Sequence, residues 1–180
     1  MIKRFISAFT HLFAEENAKH IIESCKRAGT KSRFNTDKFE NEYLGYLGES
    51  IFQQWLEEKG VKHVWQVDKF GESDDFDFLI SGKKVDVKTC LRKQPINNIK
   101  SSFQLLLHND QLGLHADIYF WILVCGFTPQ SACNAYLVGS MSAERVLNYP
   151  VVEKLSGVFS RCISLADVIP PEQFKYVMED

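Results

Sequence analysis

Hydrophobic and polar residues alternate along two short segments that meet at Ser81-Gly82, and this pattern is the most informative in the chain. Successive side chains of a strand point to opposite faces, so the alternation predicts two half-buried strands. The Ser-Gly pair predicts a two-residue hairpin turn, which places Phe78 opposite Val85. A three-residue loop would mix the two faces, because a slip of one residue inverts every side chain. In the two-residue register one face collects the large apolar residues: Phe76, Phe78, Ile80, Val85 and Val87.

The opposite face of the predicted hairpin carries charged residues. Asp77 lies opposite Asp86, and Asp75 lies opposite Lys88. Two carboxylates this close repel each other unless something neutralises them. Mg²⁺ or Mn²⁺ does so with oxygen ligands and keeps positions for water and a substrate phosphate. Lys88, on the same face, would position or deprotonate a water nucleophile, or neutralise charge on a phosphate. The alternative interpretation is a solvated hairpin with a surface Asp-Lys pair.

An amphipathic helix is predicted for residues 38–59, with apolar residues at three- and four-residue spacing and Gly60 at its end. Glu49 lies beside the apolar stripe, at the end of Gly45-Tyr46-Leu47-Gly48-Glu49, and is the third candidate acid of the site. Glu42, seven residues earlier, is interpreted as an ordinary surface acid. Glycine inside a helix costs roughly 1 kcal/mol relative to alanine. The two glycines therefore indicate close approach of a strand or of a phosphate backbone.

The rest of the chain shows weaker patterns. Residues 1–35 combine an apolar stripe with seven Lys/Arg against three Glu. They are predicted to form an N-terminal helical extension that packs on the domain, with nucleic-acid contact as a secondary role. The other predicted elements are a strand at 61–67, an element of either type at 103–107, a short helix near 110–114, a fully buried strand at 117–125, a strand at 136–139 and a short helix capped by Ser142.

An acid on an amphipathic helix, followed by Asp77 and then by Asp86-Val87-Lys88, resembles the pattern of the PD-(D/E)xK nuclease superfamily. The chain looks most like its small phage, viral and archaeal nucleases and Holliday-junction resolvases, over residues 39–139. The resemblance implies an α/β fold with a restriction-endonuclease-like core. In that core a central mixed sheet of about four to five strands is flanked by helices. Residues 36–180 would form this nuclease-like domain.

The resemblance also implies roles for individual residues. Asp77 and Asp86 would be metal ligands for Mg²⁺ or Mn²⁺, and Lys88 would be the catalytic lysine. Glu49 would be a further ligand, directly or through water. The chain departs from the family name at one point, because Asp77 follows phenylalanine instead of proline. Two neighbouring acids, Asp74 and Asp75, are therefore competing ligands.

The function that this resemblance implies is metal-dependent hydrolysis of phosphodiester bonds, with a DNA endonuclease favoured. Two alternatives stay open. One is a non-catalytic nucleic-acid-binding or assembly protein on the same fold, and the other is an RNA endonuclease. Nucleic acid is the expected partner. A homodimer is one of the open oligomeric states, because many relatives dimerise to cut two strands.

Composition places further limits on the function. The net charge of −2 is unusual for a nucleic-acid binder, although bound metal would reverse the local sign at the site. Five scattered cysteines without a C-x-x-C pair indicate reduced thiols in a cytoplasmic protein, in the host cell if its source is a virus. No apolar run approaches the roughly twenty residues of a membrane span, and the first residues lack a convincing signal-peptide cleavage site. Walker A, dinucleotide-binding and nucleophile-elbow motifs are absent, which excludes three common enzyme classes.

Overall fold

A computed structural model of the chain describes residues 1–28, 38–67, 76–93, 103–108, 116–155 and 157–174. In these ranges the fold is mixed α/β, with two β-sheets and three α-helices. The helices are α1 (Ala8–Ala28), α2 (Lys38–Glu58) and α3 (Ala143–Leu147). The strands are β1 (Ile2–Phe5), β2 (His63–Trp65), β3 (Phe78–Ile80), β4 (Lys83–Arg92), β5 (Gln104–His108), β6 (Ile118–Cys125), β7 (Asn134–Ser142), β8 (Val151–Leu155) and β9 (Val158–Ser164).

Six of the strands form the main sheet, in the order β1-β7-β6-β4-β3-β2. The pairing of β4 with β6 is parallel and the other pairings in this sheet are antiparallel. The remaining strands form a second sheet in the order β5-β9-β8. The expectation of a mixed sheet is confirmed, but the expected four to five strands were too few and the second sheet was not predicted. The strands that the sequence analysis missed, β1, β8 and β9, lack a long apolar run or a clear alternation.

The central strand β6 is buried on both faces, as its continuous apolar run predicted. On one face Phe120 packs against Phe52 of α2, with ring centroids 4.5 Å apart. On the other face Trp121 belongs to a cluster with Leu105 and Ile163 of the second sheet. A strand covered by a helix and by a sheet has no solvent-facing side, which is why every second residue need not be polar.

The predicted helix at 38–59 is confirmed as α2, and Gly60 ends it. Gly60 has a φ of 66°, and its N–H donates to Glu57 O at 2.9 Å. The N–H of Val61 donates to Leu56 O at 2.9 Å. These two bonds form a Schellman C-cap, in which glycine adopts the left-handed conformation at little cost.

Gly48 allows α2 to lie directly on β4. A Cβ at this position would be 1.8 Å from Thr89 Oγ1 and 2.8 Å from Thr89 Cβ. The close approach of a strand, one of the two explanations given for the helix glycines, is therefore present at Gly48. It brings the following residue, Glu49, to the surface of the sheet beside the hairpin of β3 and β4.

Replacing Gly48 by alanine is expected to destabilise the protein, because overpacking typically costs about 1–3 kcal/mol. This exceeds the roughly 1 kcal/mol that alanine gains over glycine in a helix. Gly45→Ala is the matched control. The atom nearest to a Cβ at this position would be Glu49 Oε1, at 4.0 Å, so the substitution causes no overpacking and should only stabilise the helix. Urea unfolding of both variants checks the opposite signs. Equal effects at the two positions would contradict the close packing of α2 on β4.

The register predicted for the hairpin is confirmed. Phe78 pairs with Val85 and Ile80 with Lys83. The turn residues Ser81 and Gly82 have φ values of 49° and 78°, as a type I′ turn requires. Four of the five predicted apolar residues are buried: Phe78, Ile80, Val85 and Val87.

Phe76 is the exception on the apolar face. It is half-buried, and its ring centroid lies 5.2 Å from Lys84 Nζ. Lys84 belongs to the charged face of β4, so Phe76 is not on the face that the alternation predicted. The reason is that β3 begins at Phe78, so the alternation of a strand does not extend to Phe76.

The N-terminal residues contribute a strand as well as the predicted helix. β1 pairs antiparallel with β7, with Ile2 opposite Leu137. Helix α1 buries Ala14 and Ala18 in the core cluster that includes α2. The helix predicted near residues 110–114 lies outside the described residues. None of the helices among the described ranges has the length and hydropathy of a membrane-spanning segment.

Candidate active site

The predicted site residues meet where β3 separates from β4. Asp77 precedes β3 and is held to β4 by its backbone and by its side chain. Its N–H donates to Val85 O at 3.0 Å, and its Oδ2 accepts the N–H of Val87 at 2.6 Å. In the described residues the paired part of β3 and β4 ends at Phe78 and Val85, and Asp86 is the next residue of β4.

Asp86 and Lys88 lie on the face of β4 that is turned toward the second sheet. Lys88 Nζ forms an ion pair with Asp86 Oδ2 at 2.7 Å. The two side chains are only 19% and 14% exposed, so water screens the pair less than it would on an open surface. The lysine lies 6.0 Å from the ring centroid of Tyr119, the residue paired with Asp86 across β4 and β6.

Glu49 approaches the same point from α2. Its Oε2 accepts a hydrogen bond from the indole N–H of Trp65 in β2, with 3.0 Å between Nε1 and Oε2. The glutamate is thus anchored on the hairpin side of the helix, beside the contact between Gly48 and Thr89.

Electrostatics shows that these charges act on one another. Burial raises the pKa of the Asp77 carboxyl well above its ordinary value, and the negative charges of Glu49 and Asp86 raise it further. The N–H of Val87 and the charge of Lys88 oppose the increase without cancelling it. All four residues that the sequence analysis selected, Glu49, Asp77, Asp86 and Lys88, therefore lie close enough for their charges to interact.

Tyr119 and Trp65 contact this group although the sequence analysis did not select them. Burial and the charge of Asp86 raise the pKa of Tyr119 to about 12, so its hydroxyl is protonated at neutral pH. Both residues lie in apolar strands, where aromatic side chains are ordinary core residues. No local pattern marks Tyr119, because it lies beside Asp86 only through the parallel pairing of β4 with β6.

The donor set has the chemistry of a site for a hard divalent cation. It consists of carboxylate oxygens, and the repulsion on Asp77 is of the kind that such a cation relieves. Among the described residues, no three Asp, Glu, His or Cys side chains are grouped so that they could hold one ion. Mg²⁺ is commonly held by one or two carboxylates together with water and substrate phosphate. The arrangement fits that kind of site, and a closed cage of protein ligands is not present within these ranges.

The remaining sequence candidates contribute less to the described site. Asp74 and Asp75 lie outside the described residues. At the end of β4, Arg92 stacks its guanidinium over Phe103, with 4.3 Å between Cζ and the ring centroid. Lys93 is exposed to solvent.

Asp77→Asn is expected to stabilise the metal-free protein at neutral pH. A carboxyl with a raised pKa in the folded state binds protons more readily there than in the unfolded chain, so stability falls as pH rises above the ordinary carboxyl pKa. Asparagine removes the repelling charge while its oxygen can still accept the N–H of Val87. A relief of about 1 kcal/mol would raise the melting temperature of a chain this size by roughly 2–4 °C.

The matched control is Asp117→Asn. Asp117 Oδ2 also accepts a backbone N–H, that of Lys84 at 2.8 Å, but at an exposed position. The melting temperatures of both variants and of the wild type, measured in EDTA at pH 7.5 and at pH 4, distinguish the effect of Asp77→Asn from that of Asp117→Asn. The gain in Asp77→Asn should shrink at pH 4, because the raised pKa keeps the carboxyl protonated in the folded protein there, and in the unfolded chain it is already about half protonated. A loss of stability at pH 7.5 would contradict the electrostatic account.

No protein-family model matches the chain, and no curated protein or solved structure matches it significantly. The functional argument therefore depends on the residues and on their arrangement.

Proposed function

We propose that the protein is a Mg²⁺- or Mn²⁺-dependent nuclease that hydrolyses phosphodiester bonds, with DNA as the favoured substrate, on a restriction-endonuclease-like core. One observation supports this most strongly. Three acids and a lysine lie close enough beside the hairpin for their charges to interact, and burial and mutual repulsion raise the pKa of Asp77. Charges concentrated in this way destabilise a fold unless a ligand neutralises them.

Asp77 and Asp86 would hold the cation, and Glu49 would be a further ligand, directly or through water. When bound, the cation polarises the scissile phosphate and lowers the pKa of the attacking water. The N–H of Val87 fixes the orientation of the Asp77 carboxylate before substrate arrives. Such preorganisation means that the ligand need not be reoriented during the reaction.

Lys88 would act on the substrate phosphate or on the attacking water. In the metal-free molecule its ammonium neutralises Asp86. A cation at Asp86 would take over that neutralisation, and the lysine could then contact a phosphate oxygen or orient the attacking water. Its ammonium lies 6.0 Å from the ring centroid of Tyr119, whose protonated hydroxyl adds no competing negative charge.

A non-catalytic role on the same fold is the second candidate. The close pairing of Lys88 with Asp86 is the observation that favours it, because a purely structural ion pair would look the same. The two candidates differ in what a cation does. In a nuclease the cation promotes cleavage, whereas a structural pair requires none.

Incubation with supercoiled plasmid, single-stranded DNA, branched DNA and RNA tests the proposal. Each substrate is offered with Mg²⁺, Mn²⁺ or EDTA. Cation-dependent cleavage that Asp86→Asn abolishes supports a nuclease, and the preferred substrate distinguishes DNA from RNA. Binding to these substrates without cleavage in any cation would favour the non-catalytic role.

A further inference from the structure

Trp65 connects the candidate active site to the N-terminal helix. Its indole is half-buried and stacks on Phe78 of β3, with ring centroids 5.6 Å apart and planes 12° from parallel. Phe13 of α1 packs on it as well, with centroids 5.1 Å apart. The aromatic ring is therefore held between two elements, and the direction of its N–H is fixed by that packing.

The fixed N–H points at a site residue. Nε1 of Trp65 donates to Glu49 Oε2 at 3.0 Å. Trp65 pairs with Phe78 across β2 and β3, and the N–H of the next residue, Gln66, donates to Asp77 O at 2.8 Å, so the hydrogen bond from Trp65 holds the Glu49 carboxylate on the Asp77 side of the hairpin. A hydrogen bond to an ionised carboxylate is stronger than one between neutral groups, and it stabilises the charge where it lies.

We propose that Trp65 is a positioning residue, which holds the Glu49 carboxylate beside Asp77 so that the acids are arranged for a divalent cation before one arrives. The proposal rests on the proposed function, because it assigns Glu49 to a cation site. Trp65 itself contacts neither cation nor substrate. Residues that orient the ligands of a metal site typically change metal affinity by about 10- to 100-fold when they are replaced.

Trp65→Phe tests this role, because phenylalanine retains an aromatic ring between Phe13 and Phe78 and removes the N–H. Calorimetric titration with Mn²⁺ is expected to show an affinity at least about tenfold weaker than that of the wild type. Trp55→Phe is the matched control. Trp55 belongs to α2, and its indole is buried in the hydrophobic core. Its Nε1 has no hydrogen-bond partner in the described part of the chain. It should lose thermal stability and keep its Mn²⁺ affinity.

A double-mutant cycle separates positioning from general packing. If Trp65 acts through Glu49, Trp65→Phe should have little further effect on Mn²⁺ affinity in a Glu49→Ala background. Equal losses in both backgrounds would show that Trp65 acts through packing alone and would overturn the proposal.

A second measurement leaves Trp65 in place, and so remains decisive if the phenylalanine variant folds poorly. In ¹⁵N-labelled protein, the indole N–H resonance of Trp65 should shift on addition of Mg²⁺ to the wild type and not to Glu49→Ala. The resonance of Trp55 should be insensitive in both. A Trp65 resonance that Glu49→Ala leaves unchanged in the metal-free protein would overturn the hydrogen bond itself.

The two proposals fail in different ways. If the wild type binds no Mn²⁺, or if Asp77→Asn with Asp86→Asn binds it equally well, the proposed function is wrong. If Mn²⁺ binding requires those aspartates but Trp65→Phe matches Trp55→Phe in affinity, the positioning role is wrong and the proposed function stands.

Discussion

Lys88→Met is expected to reduce cleavage at least about 100-fold at saturating Mn²⁺. Loss of a preorganised charged donor in other active sites costs about 10²- to 10³-fold, and methionine retains an unbranched apolar stem without the ammonium. Lys84→Met is the matched control. Lys84 is on the same strand and face, but its ammonium lies over Phe76 and not beside an acid of the site. Single-turnover rates of the two variants give the comparison. If Lys88→Met lowered the cleavage rate by less than about tenfold, which is about 1.4 kcal/mol in the activation free energy, the catalytic role of Lys88 would be wrong.

The ion pair with Asp86 adds a second consequence for Lys88. In the metal-free protein Lys88→Met leaves Asp86 and Asp77 without the cation that opposes their repulsion. The variant should therefore melt below the wild type in EDTA, and Mn²⁺ should reduce the difference. If Lys88 were only solvated, Lys88→Met would change neither the melting temperature in EDTA nor its response to Mn²⁺.

Asp77→Asn combined with Asp86→Asn is expected to abolish both cleavage and the stabilisation of the fold by Mn²⁺. A ligand that binds only the folded state contributes about 2.7 kcal/mol at one hundred times its dissociation constant. In a chain of this size that is a rise of roughly 5–10 °C in melting temperature. The wild type should show this rise and the double variant should not.

Asp117→Asn is again the control for the double variant, since it removes a carboxylate charge outside the site. It should retain the full Mn²⁺-dependent rise. In EDTA the double variant relieves the repulsion at Asp77 but also loses the ion pair between Lys88 and Asp86, so the two effects oppose each other. The deciding quantity is therefore the change in melting temperature on addition of Mn²⁺. A double variant that keeps the full Mn²⁺-dependent rise would contradict the metal site.

The register of the hairpin could be predicted because local rules agree there. Alternation and the Ser-Gly turn both give the register in which Phe78 pairs with Val85, which is the observed pairing. The approach of α2 to a strand was one of the two explanations for its glycines, and it is observed at Gly48. These signals all lie within a few residues of the features they specify.

What could not be predicted depends on distant pairing. β1 has no distinctive pattern, and its place in the sheet is set by β7. The second sheet requires β5 to leave the main sheet and join β9, which no local pattern indicates. Trp65 and Tyr119 were missed for the same reason, because their roles at the site come from neighbours that are adjacent only in the folded protein.

The strand order gives the sheet pairings very different loop-closure entropies. The hairpin of β3 and β4 closes a loop of two residues, whereas Ile2 of β1 must meet Leu137 of β7, far along the chain. Each doubling of a flexible loop adds about 0.6 kcal/mol to the cost of closing it. All four candidate site residues lie between residues 49 and 88. The candidate site therefore has a low contact order, whereas β1, the earliest of the described strands, pairs with β7, the last strand of the main sheet.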